Sequence, residues 1–267
     1  MKIHLTLISL NDNAVLPCSY QYPLSAAIYK IISQADDAYA SFLHTTGYRK
    51  KDSLKTFKLF TFSDINTAFD IEGDRLLLKT NQARLNVCFH VPEAASNFIK
   101  GLFINKKIEI ADKKSKARFV INQAEVKSLW INPVMPNEIQ QVTLTPASPM
   151  VVGITNEKGN YTFLYPHDER FIPALLFHWK EKYAVAFGNE AAEEDFKNMS
   201  VSVAEAEKAK SRLIAIKAGE PEETKIRGFT GFKLHVKAKT EVIELALNAG
   251  IGAFGSMGFG CVNCDGM

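Results

Sequence analysis

The chain has 267 residues, 46% of them hydrophobic and 10% aromatic, enough for one large domain or two of roughly 130 residues without disulfide or metal staples. Its four cysteines, with no signal-peptide pattern and no apolar run of transmembrane length, predict a reduced, cytoplasmic protein with no disulfides and no membrane partner. The net charge of +3 is too small to indicate a polyanionic partner by itself. The basic residues nevertheless cluster in segments 49–58, 106–118 and 225–239, a pattern that one basic face or solvated loops would produce.

The first half of the chain predicts strands and helices in mixed order. Residues 2–9 alternate polar and apolar side chains, which is typical of a half-buried strand. Apolar residues at helical spacing predict a helix over 24–34, after Pro23, and a second helix over 36–45, before Gly47. Further elements are strands over 55–63, 74–80, 84–91 and 106–110, and a helix over 92–104.

The second half predicts a similar mixture. The predicted helices are 169–188, interrupted near Pro173, and 241–250, while the acidic stretch 190–207 is predicted to be helix or solvated loop. Strand-like patterns cover 140–153, 161–166, 212–219, 228–238 and a short edge strand, 259–265.

Too few long βαβ units are present for a doubly wound parallel sheet, so the predicted class is α+β. The element order fits two ferredoxin-like β-α-β-β-α-β domains in tandem, closely in the first half and loosely in the second. We predict an N-terminal domain over 1–118 and a C-terminal domain over 119–267.

Five glycines crowd into the stretch "AGIGAFGSMGFG" at 249–260. Gly250, Gly252 and Gly255 match the dinucleotide fingerprint GxGxxG, but here a predicted helix precedes the glycines and a strand follows them. This order is the reverse of the fingerprint's, and a helix C-terminus repels phosphate, so dinucleotide binding is not predicted. A helix cap followed by a turn explains two glycines easily, whereas five indicate a backbone that approaches another backbone closely, such as that of a nucleic acid.

Two segments at opposite ends of the chain resemble one known family. The stretch "LNAGIGAFGSMGFGCV" resembles the C-terminal glycine-rich loop of the CRISPR-associated repeat-RNA endoribonucleases, the Cas6 family, in its pattern G-φ-G-x5-G-φ-G. The stretch "PLSAAIYKII…FLHTTGYRKK…KTFKLFTFS" is similar to the N-terminal region of the same family, which carries its catalytic tyrosine, histidine and lysine.

The resemblance implies an activity and a catalytic set. It implies cleavage of CRISPR repeat RNA in precursor transcripts into guide RNAs without metal or other cofactor, leaving 2′,3′-cyclic phosphate and 5′-hydroxyl ends. It implies His44 as general acid or base, and Tyr29 as the residue that orients the 2′-hydroxyl or shares proton transfer with it. It implies Lys50, with Lys51 as substitute, as the residue that stabilises the transition-state charge. The implied partners are precursor and mature RNA, other Cas proteins of an interference complex, and a second copy in a homodimer.

The residues themselves are compatible with these roles. Stepping about 100° per residue along a helix places Tyr29 and His44 away from the predicted buried stripes, where tyrosine and histidine are most often plain surface residues. The predicted RNA-binding residues are Gly250, Gly252, Gly255, Ser256, Gly258, Gly260, Arg49, Lys51, Arg227, Lys233 and Lys237.

Other chemistry is less well supported. The remaining histidines have no second histidine or carboxylate at ligand spacing, and the lone Cys261-x-x-Cys264 pair lacks a partner pair, so we predict no metal site. Two further functions stay open: a repeat-RNA-binding protein of the same fold without cleavage, and an unrelated α+β enzyme that binds a phosphorylated metabolite at the glycines.

Overall fold

The computed structural model describes residues 1–50, 53, 55–130, 134–157 and 159–265. The first half contains β1 Lys2–Ser9, β2 Val15–Pro17, α1 Gln21–Ala35, α2 Asp37–Thr45, β3 Phe60–Phe62, β4 Phe69–Glu72, β5 Arg75–Leu78, β6 Gln82–Phe89, α3 Pro92–Ile104, β7 Lys107–Ala111 and β8 Lys116–Lys127. The second half contains β9 Ile139–Pro146, β10 Gly153–Thr155, β11 Tyr161–Phe163, α4 Phe171–Phe187, α5 Asn189–Lys197, β12 Ser200–Ala204, β13 Lys210–Ile216, β14 Thr224–Thr230, β15 Lys233–Lys239, α6 Thr240–Ala249 and β16 Val262–Asp265. None of these helices is both long and apolar enough to cross a membrane.

The first sheet has five antiparallel strands in the order β3-β6-β1-β8-β7. The alternation in β1 places Ile3, Leu5 and Leu7 in a buried core that helices α1 and α3 share. The two helices cross closely at Gly101, where an added Cβ would overlap the Ile31 carbonyl. A smaller sheet, β2-β5-β4, completes this half.

The second sheet has four strands in the order β12-β15-β9-β16, so β16 is the edge strand that the sequence predicts. Helices α4 and α6 share a second core with it, built around Phe171, Trp179 and Phe232. Two hairpins, β10-β11 and β13-β14, stand outside the sheet.

Four predicted elements differ from the structure. The strand predicted over 55–63 is regular only in β3, and α4 is continuous because Pro173 lies in its first turn, where no helical N–H is needed. The stretch 190–207 forms α5 and then β12 rather than one helix or loop. The strand predicted over 228–238 is broken at Gly231, whose φ of +85° turns the chain from β14 into β15, and these strands belong to different sheets.

The mixed α+β class is confirmed by these sheets and helices. The boundary between residues 118 and 119 stays a prediction. Strand β8 belongs to the first sheet and runs across this position, from Lys116 to Lys127.

The C-terminal glycine stretch packs against the first half of the chain. The Thr61 hydroxyl on β3 donates to the Phe259 carbonyl at 3.0 Å, and the Ser25 hydroxyl on α1 donates to the Ser256 carbonyl at 2.6 Å. These contacts bring the two ends of the sequence together.

Candidate active site

Tyr29 and His44, predicted from separate helices, are in direct contact. Their ring centroids are 5.1 Å apart in an edge-to-face arrangement, and Tyr29 also meets Phe60 of β3 edge-on at 5.4 Å. His44 is solvent-exposed in the last turn of α2, whereas Tyr29 is half-buried because His44 and Phe60 cover it. The helical wheel places Tyr29 outside the buried stripe of α1 but cannot show that other elements fold over it.

Burial controls the protonation of Tyr29. It raises the pKa of the phenol to about 12, against a smaller opposing effect of the Ser256 side chain. At neutral pH the hydroxyl is therefore protonated and acts as a hydrogen-bond donor rather than as a phenolate base.

Residues 250–260, which we call the glycine loop, are tightly packed. Gly250, Gly252, Gly258 and Gly260 all have positive φ, between +68° and +83°, which side-chain-bearing residues rarely adopt. An added Cβ would overlap the Val151 carbonyl at Gly252, the Phe62 ring at Gly258 and the Ile251 carbonyl at Gly260. Gly255 has an ordinary φ, but its Cβ would lie 3.0 Å from two carbonyl oxygens. The glycines are thus required first for packing of the loop itself.

Part of the loop backbone is already hydrogen-bonded. The Ile251 N–H donates to the Gly260 carbonyl at 2.8 Å, and the Ala253 N–H donates to the Val151 carbonyl at 2.9 Å. In the described part of the chain, no hydrogen bond uses the N–H groups of Gly255 and Ser256, beside Tyr29. These two groups are therefore among the loop donors that could bind an anionic ligand.

Lys50 and Lys55 lie in a loop closed by a backbone pair between Tyr48 and Phe57. The Lys50 ammonium forms an ion pair with Glu181 of α4, with Nζ and Oε1 2.6 Å apart. The predicted charge-stabilising lysine is therefore already paired. Arg49 is exposed in the same loop, and Lys51 lies outside the described residues.

Lys58, which the sequence places in the basic cluster 49–58 without a role in the site, is a further cation near His44. Its side chain covers Gly47, just after His44, and its Nζ lies 2.9 Å from the point that a Cβ there would occupy. Burial lowers the pKa of Lys58, and no described residue forms an ion pair with it.

A cleft of about 1080 Å³ opens beside Tyr29, and we call it the central cleft. The glycine loop, the segment 55–60 and helix α4 line it. Phe60 and Ser256, both in contact with Tyr29, form part of its wall. Tyr29 and His44 do not line the cleft themselves, but Phe60 and Ser256 place its wall next to Tyr29.

His178 of α4 positions Lys55 in this cleft. The Gly153 carbonyl, which can only accept, is 3.0 Å from His178 Nε2, so Nε2 carries the proton and Nδ1 accepts from Lys55 Nζ at 3.1 Å. Burial is the main cause that lowers the pKa of both side chains. In the sequence, His178 has no second histidine or carboxylate at ligand spacing, and nothing there predicts its contact with Lys55.

Lys182 of α4 holds the start of the glycine loop. The residue is 4% exposed, and its ammonium donates to the carbonyls of Ala249 at 3.0 Å and Gly250 at 2.6 Å. Burial, with a smaller effect of the nearby Lys55, lowers the pKa of Lys182 to about 7. A signal was present in the sequence, because Lys182 falls on the same helical stripe as the buried Leu175 and Trp179.

The predicted basic residues of 225–239, which we call the basic segment, do not form one strand face. Arg227 lies on β14 and donates to the Ser211 hydroxyl at 2.6 Å. Lys233 and Lys237 lie on β15, where Lys233 forms an ion pair with Glu205 at 2.9 Å and Lys237 is exposed. Their contact with RNA stays a prediction.

The described side chains include no cluster of three or more His, Cys, Asp or Glu residues arranged to hold a metal ion.

Models of known protein families match both halves of the chain. Residues 15–125 match the family model described as "CRISPR-associated protein Cas6, N-terminal", and residues 132–264 match "CRISPR associated protein Cas6, C-terminal". A curated relative from Methanocaldococcus jannaschii, "CRISPR-associated endoribonuclease Cas6 1", is 29% identical over 200 residues, 73% of this chain and 70% of the relative.

Solved structures show the same fold. One, described as "Characterization of a Cas6-related gene from Pyrococcus furiosus", superposes with a TM-score of 0.77 at 22% identity, over 99% of this chain and 98% of that one. Another, described as "An RAMP protein binding different RNA substrates", gives a TM-score of 0.76 at 19% identity over the whole of both chains. The predicted tandem of ferredoxin-like domains is thereby confirmed.

Proposed function

Because this chain belongs to the Cas6 family, as its two matched regions show, we propose that it is an endoribonuclease that binds and cleaves CRISPR repeat RNA in precursor transcripts to give guide RNAs. The curated relative is named as an endoribonuclease, and one structural neighbour is described as binding RNA. Other Cas proteins and a second copy of the chain stay predicted partners.

The observation that carries the proposal is the meeting of three side chains from both ends of the sequence. Tyr29 contacts His44 on one side and Ser256 of the glycine loop on the other. An acid–base side chain, a protonated phenol and unpaired backbone N–H groups around one point are what a ribose–phosphate junction requires for cleavage.

The proposed reaction is an internal transesterification. The 2′-hydroxyl oxygen attacks the adjacent phosphorus while its proton is removed, and the bond to the leaving 5′-oxygen breaks as that oxygen gains a proton. The products are a 2′,3′-cyclic phosphate and a 5′-hydroxyl. His44 transfers a proton, and Tyr29, protonated because its pKa is about 12, donates a hydrogen bond that orients the reacting group.

Charge on the phosphorane oxygens needs a cation or N–H donors. We propose Lys50 for this role, with the N–H groups of Gly255 and Ser256 as further donors. To reach the phosphate, the Lys50 ammonium must exchange its ion pair with Glu181 for one with RNA. Lys58, beside Gly47, is the alternative cation if this exchange does not occur.

The test is gel analysis of labelled repeat RNA with EDTA present, comparing wild type with His44→Ala. We expect His44→Ala to lower the cleavage rate by about 10²- to 10⁴-fold, about 3–5 kcal/mol of barrier, and to leave binding intact. His167→Ala removes an exposed histidine elsewhere and is the matched control. Equal cutting by wild type and His44→Ala would exclude His44 from the mechanism, and loss of wild-type cutting in EDTA would exclude metal-independent cleavage.

One observation favours a second function, repeat-RNA binding without cleavage: Lys50 is held by Glu181. A protein of this kind would bind the RNA tightly and leave it intact under every metal condition. Wild type, His44→Ala and Lys50→Met would then bind alike, and no cyclic-phosphate product would form.

A further inference from the structure

The central cleft has polar groups on its wall that no described residue satisfies. The hydroxyl of Tyr161 is buried without a hydrogen-bond partner, although native structures satisfy most such groups. Lys55 uses one of its three ammonium N–H groups on His178, and Lys58 has no ion-pair partner in the described part of the chain. Residues 252–257 of the glycine loop line the same cleft.

Aromatic rings form another part of the cleft wall. The Lys55 ammonium lies 5.2 Å from the ring centroid of Phe57 and 5.4 Å from that of Phe177. Phe177 is 61% exposed and Phe254 is 38% exposed, large values for apolar rings in a cleft. Exposed ring faces beside fixed cations are the combination that binds a base and its phosphate.

The opposite charge is scarce at this wall. Lys55, Lys58 and the buried Lys182 line the cleft against one carboxylate among its described lining residues, that of Glu169, and the lining Arg170 is paired with Asp168. The nearby carboxylate of Glu181 is paired with Lys50. An anionic group entering the cleft would therefore meet cations whose charge is not balanced locally.

We propose that the central cleft binds one unpaired ribonucleotide next to the cleavage junction, with its phosphate on Lys55 and its base on Phe177. This assignment rests on the proposed function for its substrate class, RNA, and for the position of the junction at Tyr29. His178 is a positioning residue, since its Nδ1 holds the Lys55 ammonium against the cleft wall. The Tyr161 hydroxyl bonds the edge of the base.

The experiment measures binding, so that it is independent of cleavage. The probe is a single-stranded repeat RNA with a 2′-deoxyribose at the mapped junction, together with derivatives that lack the base at one position at a time. Because base–aromatic stacking contributes about 1–3 kcal/mol, we expect Phe177→Ala to weaken binding of the intact probe about 5- to 150-fold. The same substitution is expected to have no effect on the one derivative that lacks the stacked base, and that base should lie within two nucleotides of the junction.

Two further variants test the phosphate and the base edge. Lys55→Met is expected to reduce the slope of log K against log salt by about 1, as for the loss of one phosphate contact. Tyr161→Phe is expected to weaken binding about 2- to 10-fold, as for the loss of one hydrogen bond.

The matched controls lie outside the cleft, on α3. Phe103→Ala removes a ring that is 80% exposed, and Lys100→Met removes one exposed ammonium. The inference is overturned if Phe177→Ala and Phe103→Ala change the affinity for the intact probe equally, or if Phe177→Ala weakens binding of every abasic derivative. It is also overturned if Lys55→Met and Lys100→Met give the same salt slope. If wild type does not cleave RNA but the abasic pattern appears on a scan of the whole repeat, the proposed function fails and the nucleotide site stands. If wild type cleaves RNA but the abasic pattern does not appear, the nucleotide site fails and the proposed function stands.

Discussion

The glycine loop and the basic segment, both predicted to contact RNA, are held in place by different forces. Five of the eleven loop residues are glycine, and the loop is fixed by positive φ values and close backbone packing. The basic segment is fixed by a strand ladder, and two of its predicted cations, Arg227 and Lys233, already bond to protein groups.

The difference shows what each kind of pattern can predict. A glycine is needed where the backbone has positive φ or where another group occupies the space that a Cβ would fill. Both requirements arise from local geometry, so a cluster of glycines predicts a tightly packed backbone. A run of lysines and arginines says nothing about which face they occupy, because strand neighbours point to opposite sides and the chain can turn between them. Gly231 does so here, dividing the segment between two sheets.

The largest expected effect comes from adding one methyl group to the glycine loop. Gly260 has a φ of +68°, and its Cβ would overlap the Ile251 carbonyl. We expect Gly260→Ala to lower the free energy of unfolding by about 3–5 kcal/mol, measured by urea denaturation. The control is Gly219→Ala beside the basic segment, where φ is +76° but nothing lies within 4 Å of the Cβ, and where about 1 kcal/mol is expected. Equal losses would mean that backbone conformation alone, without packing, explains the glycines.

An intermediate effect is expected at Lys182, which holds the start of the glycine loop. Its folded-state pKa of about 7 lies below its ordinary value of 10.5, so the unfolded chain binds more protons between these limits. Stability therefore rises with pH through this window, by at most about 1.4 kcal/mol per pH unit. Relative to Lys182→Met, wild type should gain about 2 kcal/mol of unfolding free energy between pH 7 and pH 9.

The control for this pH dependence is Lys180→Met, on the same helix. Lys180 is on the surface, paired with Glu193 at 2.7 Å. We expect its unfolding free energy to follow that of wild type over the same pH range, measured in urea. A pH dependence of Lys182→Met that matches wild type would show that the Lys182 ammonium is not held in a desolvated site.

Particular residues show how far the sequence could predict this site. Tyr29 and His44 were predicted from a resemblance spread over two helices, and the structure brings their rings together. Their spacing in sequence does not encode this contact, which depends on how α1 and α2 pack. Ser256 was predicted within the loop, but its contact with Tyr29 joins positions more than 200 residues apart.

The contacts that the sequence did not predict have the same explanation. Lys55, Lys58 and His178 face the central cleft because an irregular segment runs against α4, and neither hydrophobic period nor motif spacing describes such a contact. Lys182 was detectable as a charged residue on a buried helical stripe. The α+β class needed only local patterns, whereas the ion pair of Lys50 with Glu181 needed the tertiary structure.

The smallest expected effect separates two lysines of the basic segment on β15. Lys237 is exposed with no ion pair among the described residues, whereas Lys233 is paired with Glu205. If β15 contacts the RNA backbone, Lys237→Gln should weaken binding of repeat RNA uniformly and lower the salt slope by about 1. Lys233→Gln should change the slope less, because the Lys233 ammonium is paired with Glu205 in the free protein and must leave that carboxylate before it can contact a phosphate. Filter binding at several salt concentrations measures both slopes. If both variants keep the wild-type slope, β15 does not contact the RNA, and the glycine loop and the central cleft remain as the predicted contact surface.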